Sequence, residues 1–255
     1  MKKSLKSLVG YTLGAIDGEI GKIKEFYFED ETWTIRYLIV DTGNWLSGRK
    51  VLLSPEALLS KHWDAEVLPV NLTKEKIANS PDIDTEKPVS RQQEIKLYQY
   101  YPWSNYWGWD NGMWLGGMGT SGMMMSNRGP FEEAIHNSTL LAETAEKGDP
   151  HLRSTEKVAG YIIKTLDGEV GDVTDFIIDD EDWKIKFLVV DTGNWFSGKK
   201  VLLSPGLIKE IDWINSSILV KASIEDIKNS PEYDHGKPIS ETYETELNKH
   251  YETKV

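Results

Sequence analysis

The stretch VDTGNWLSGRKVLLSP at Val40–Pro55 returns as VDTGNWFSGKKVLLSP at Val190–Pro205, 150 positions later and with fourteen of sixteen residues unchanged. The same shift aligns Gly10–Ser90 with Gly160–Ser240 without a gap, and 37 of those 81 positions are identical. A long period that occurs only twice signals a duplicated domain, because solenoid repeats are shorter and more numerous. Each copy then folds from about 85 to 100 residues, a small domain but one within the range that forms its own core.

Within each copy the pattern is that of strands. IDGEIG at Ile16–Gly21 and LDGEVG at Leu166–Gly171 set Asp-Gly between β-rich segments, a signal for a tight hairpin turn. Next, Trp33, Ile35, Tyr37 and Ile39 alternate with Thr34, Arg36 and Leu38, and Trp183, Ile185, Phe187 and Val189 repeat the scheme. Period-2 alternation predicts a strand with one buried face. About six short strands per copy are expected, and closure into a small barrel hides the edges of such a sheet. Short helices follow: TKEKIANSP and SIEDIKNSP, with Ser223 and Asp226 spaced as a capping box, then segments opening at Ser90 and Ser240.

The join between the copies has another composition. Tyr98–Pro130 carries four of the ten tryptophans (Trp103, Trp107, Trp109 and Trp114), five of the six methionines and many glycines. Ordinary flexible linkers are polar, and this one is not. The expected layout is a first β domain at 1–97, an aromatic, Met- and Gly-rich join at 98–151 with a short helix near Phe131–Glu146, and a second β domain at 152–255.

Charge and composition narrow the function. A net charge of −12 without a basic cluster longer than a pair argues against nucleic-acid binding. The absence of cysteine removes disulfides and thiolate chemistry. No run reaches the ~20 apolar residues of a membrane span, so a cytoplasmic protein is expected. The five histidines (His62, His136, His151, His235 and His250) share no spacing that suggests a metal site, and none aligns with another under the repeat shift. Turn chemistry accounts for Asp17, Glu19, Asp41 and Asp191 better than acid–base catalysis does, since nothing in the sequence splits their environments.

Taken together, DGEIG…W…YLIVDTGNW…KVLLSP…SPDIDTEKPVSRQQE in the first copy and DGEVG…W…FLVVDTGNW…KVLLSP…SPEYDHGKPISETYE in the second resemble the PRC-barrel family. The likeness is greatest to bacterial tandem members in which a Tyr/Trp-rich segment follows the first barrel. The resemblance implies an all-β fold of two tandem small antiparallel β-barrels with short helices. It also implies a habit of docking onto other proteins, as in the photosynthetic reaction-centre H subunit and the C-terminal domain of the ribosome maturation factor, with no shared catalytic motif.

The expected function is therefore a non-enzymatic adaptor or scaffold with protein partners and no cofactor. The barrels are expected to pair within the chain, and two chains to be able to pair as a homodimer. Candidate interaction residues are Trp45 and Trp195, which the DTGNW turns do not need for their own geometry, and Trp103, Trp107, Trp109 and Trp114 in the join. Two alternatives stand beside this reading. One is a module binding a small molecule or a metal where barrel and join meet, including a thioether copper site at Met123–Met125. The other is an assembly role like that of the reaction-centre H subunit.

Overall fold

A computed structural model describes residues 1–59, 67–82, 89, 91–101, 103–104, 152–193 and 198–252. Thirteen strands among them form two sheets. In the first copy these are β2 (Thr12–Ala15), β3 (Gly18–Glu29), β4 (Thr34–Asp41), β5 (Lys50–Leu53) and β6 (Val67–Pro69), in the order β5-β4-β3-β2-β6. The second copy repeats the order with β8 (Ile162–Lys164), β9 (Glu169–Asp179), β10 (Ile185–Asp191), β11 (Lys200–Leu203) and β13 (Ser217–Val220), and adds β12 (Ile208–Asp212) at its edge. Strands dominate and the helices are short, as the sequence leads one to expect. Most strand pairs are antiparallel, as the resemblance implies, and each sheet also has one parallel pair: β2 runs parallel to β6, and β8 to β13. Each last strand returns beside the first only after the chain has passed through the other strands of its sheet, so the two lie in the same direction.

The hairpin turn also falls one residue earlier than the Asp-Gly signal suggests. Gly18 pairs with Ala15, which leaves Ile16 and Asp17 as the loop. Burial departs from strict alternation as well. From Tyr37 to Val40 every side chain is buried, so both faces of β4 are covered there. Trp33 precedes the strand instead of taking an inward position in it; with φ of 57° it sits in a left-handed turn, and Trp183 does the same at 56°.

Two further strands, β1 (Lys2–Ser4) and β7 (Leu152–Ser154), occupy equivalent places in the two copies, and each belongs to the sheet of the other copy. β1 pairs with β9 of the second copy, Lys3 opposite Ile178. β7 pairs with β3 of the first, Arg153 opposite Phe28. The exchange is reciprocal and centred on the two tryptophan turns. Ile35 N–H donates to the carbonyl of Trp183 (2.8 Å), and Ile185 N–H donates to that of Trp33 (2.7 Å). Phe28, stacked on Trp33 at 5.2 Å, meets Phe176 of the other copy at 5.9 Å between ring centroids. Burying each such aromatic contributes roughly 1.5–3 kcal/mol.

After each crossing comes a one-turn helix, α1 (Leu5–Leu8) or α4 (Thr155–Val158), capped by Ser4 or Ser154. Met1–Lys74 and His151–Val255 form one compact unit, and Glu75–Pro150 a second. Helix α2 (Lys74–Ala78) begins at the boundary, and α3 (Arg91–Tyr100) lies in the second unit. In the first unit, α5 (Ile224–Asn229) has the expected capping box of Ser223 and Asp226, and α6 (Glu241–Tyr251) starts from Ser240. Burial pushes the pKa of the Tyr251 hydroxyl up to about 12. The helix expected near Phe131–Glu146 lies outside the described residues.

Candidate interaction site

The repeated DTGNW motif forms the connection between β4 and β5. Asp41 Oδ1 accepts from Gly43 N–H at 2.8 Å, and Gly48 N–H donates to the Gly43 carbonyl at 2.6 Å. Thr42 Oγ1 donates to the Arg49 carbonyl at 2.5 Å. Gly43, Ser47 and Gly48 all have left-handed φ, at 54°, 54° and 78°. This is a 3₁₀ turn, Gly43–Leu46, closed by its own backbone. The second copy repeats the bonds that its described residues show: Gly193 N–H to Asp191 Oδ1 at 2.8 Å, and Thr192 Oγ1 to the Lys199 carbonyl at 2.7 Å.

A close approach locks the motif to the earlier DGEIG segment. A Cβ built on Gly21 would stand 2.1 Å from the carbonyl oxygen of Asp41, and one on Gly171 would stand 2.0 Å from that of Asp191. Glycine is therefore required where β3 and β9 cross the start of each turn. The repetition of these residues is explained by architecture.

Architecture leaves Trp45 unexplained. Its ring is half-buried on the turn, and Lys74 Nζ lies 4.6 Å from the ring centroid. Lys74 is placed there by its backbone, whose N–H donates to Asp17 Oδ1 at 2.8 Å and so ties the start of α2 to the β2–β3 turn. In the second copy Asp167 accepts from Ile224 N–H at 2.8 Å in the same manner, but the residue is isoleucine and brings no cation. The sequence pointed to Trp45; it gave no sign of Lys74, which is 29 positions away.

Of the other candidates, Trp103 is half-buried and stacks on the buried Tyr101 at 4.0 Å, with Tyr98 edge-on at 6.4 Å. Trp195, Trp107, Trp109 and Trp114 lie outside the described residues, as does the Met123–Met125 group. Asp41 and Asp191 serve as turn acceptors, and Asp17 accepts from the start of α2. Among the described residues no group of three or more His, Asp or Glu is arranged to hold a metal ion, and no helix is long and apolar enough to cross a membrane.

Sequence reasoning missed the polar seams of the strand exchange. Ser154 Oγ donates to the buried Glu25, and Ser4 Oγ donates to Asp175. Thr155 Oγ1 meets both the N–H and the carbonyl of Phe26, at 3.2 and 3.1 Å. Burial raises the Glu25 carboxyl above its ordinary 4.5, against the lowering effect of the Ser154 bond. Arg153 Nε pairs with Asp30 Oδ2 at 2.8 Å while its guanidinium lies 3.9 Å from the ring centroid of Trp213.

The family model described as the PRC-barrel domain matches residues 2–77 and 162–227, more than half of the chain and one segment in each copy. Comparison with curated proteins finds no match.

Proposed function

Because the chain belongs to the PRC-barrel family, we propose that it is a non-catalytic docking protein, an adaptor or scaffold that presents aromatic side chains to protein partners. The observation that carries this reading is Trp45. The turn that bears it is closed by backbone bonds, Asp41 and Thr42, so the indole is not needed for the turn and remains half-exposed beneath a lysine. A large amphipathic ring on a rigid turn has the character of an interface anchor. The engagement of Asp41 and Asp191 in their turns, and of Asp17 at the start of α2, supports the non-catalytic part of the reading. The docking habit that the family resemblance implies points the same way.

The test is quantitative cross-linked capture from the host lysate with the full chain and with Trp45→Ala, each checked for an unchanged melting temperature. A partner retained by the full chain and reduced at least tenfold by the substitution is the expected result. Equal capture by both, or capture by neither, would contradict the reading.

A further inference from the structure

Strand β12 is the last in its sheet, and among the described residues it pairs only with β13. An open cleft of about 330 Å³ runs beside it, at the small end of the range typical of ligand sites. Four consecutive residues, Ile208 to Ile211, line this cleft. Side chains of a strand alternate between its faces, so a lining of consecutive residues means that the cleft follows the edge of the strand, where its outward N–H and C=O groups lie. Trp213 and Pro205 also line it, together with Asp30 and Trp33 of the first copy.

This cleft is continuous with the exchange interface. Asp30 and Trp213 are the two groups that Arg153 of the exchanged strand β7 engages, at 2.8 and 3.9 Å. Beside the cleft, then, the molecule already binds a three-residue strand by addition to a sheet. We propose that the free edge of β12 is a further strand-addition site, and that its occupant is an extended segment of a partner protein with uncharged, apolar side chains at alternate positions. An edge of main-chain donors and acceptors is complementary to another extended main chain. The side-chain chemistry follows from the lining: two tryptophans and two isoleucines, with Asp30 neutralised by Arg153 and the charges of Lys209 and Glu210 opposite in sign. Lys209, Glu210 and the register shift between Ile208 and Glu210 blunt the edge against sheet-on-sheet aggregation. A single short segment in the cleft remains admissible.

The inference rests on the docking reading and adds a surface and a ligand class to it. The test uses the full chain and acetylated, amidated pentapeptides Thr-X-Thr-X-Thr, with X as Val, Ile, Leu, Phe, Lys or Glu, and the same peptides N-methylated at both X positions. Hydrogen exchange of the full chain is followed at saturating peptide. Expected are at least tenfold protection of amides within Lys209–Trp213 by an apolar peptide, at least tenfold weaker binding to Ile211→Lys, and loss of binding on N-methylation. Absence of protection with every peptide, equal binding of the N-methylated peptide, preference for the Lys or Glu peptide, or protection mapped elsewhere would each overturn it. Failure here with Trp45-dependent capture intact removes only this site; protection of β12 with capture indifferent to Trp45 removes only the anchor reading.

Discussion

Where β1 crosses to β9, Asp175 accepts from Ser4 Oγ and from two backbone amides, Lys6 at 2.9 Å and Phe176 at 2.7 Å, and it is half-exposed. Where β7 crosses to β3, the equivalent Glu25 accepts from Ser154 and is only 8% exposed, while Thr155 takes over the bonding of Phe26. The serine and the carboxylate are kept at both crossings, and the surrounding bonds are redistributed. Geometry is thus the retained property, and each junction has settled its own polar balance. The helix starts differ in the same way: one places Lys74 over the Trp45 ring, and the equivalent position of the other is Ile224.

The largest expected effect should leave the two copies equal. Gly21→Ala and Gly171→Ala each force a Cβ to within about 2 Å of a carbonyl oxygen. Each should cost more than about 3 kcal/mol, read by urea denaturation; a large difference between the two would break the equivalence of the copies. Thr155→Val removes the hydroxyl that serves Phe26 with little change of shape and should cost about 1–3 kcal/mol by the same assay.

Glu25→Gln should act in the opposite direction. A carboxyl whose folded pKa is raised above 4.5 contributes its stability below that value and loses it as pH rises through the folded pKa. The amide keeps an acceptor for Ser154 and removes the buried charge. Thermal melts should therefore show a gain of up to about 1 kcal/mol at neutral pH that shrinks on acidification. A loss at neutral pH would mean that the carboxylate is needed in its charged form. Smallest is Lys74→Ile, which gives the first copy the residue of the second. It should cost about 0.5–1 kcal/mol, and collisional quenching should show the Trp45 indole more exposed.

The sequence carried much of this structure because much of it is local. The Gly21–Asp41 crossing recurs at Gly171–Asp191, and a 150-residue shift makes such repetition visible. Alternation marked β4 and β10, and Ser223, Asp226 and Ser240 announced their helices. The exchange left no such trace. Lys2–Ser4 and Leu152–Ser154 are three-residue strands carrying basic and hydroxyl side chains, too short for a period and paired with residues more than a hundred positions away. For the same reason Trp45 was legible as an aromatic that its turn does not need, whereas its partner Lys74 was not.

The two copies have traded strands and therefore form one body. The decisive experiment inserts a specific protease site near position 125 of the full chain, cleaves it, and follows the halves by size-exclusion chromatography and calorimetry. Exchanged strands should keep the halves together one to one, unfolding in a single transition with equal calorimetric and van't Hoff enthalpies. Separation into two independently folded halves, each with its own transition, would contradict it.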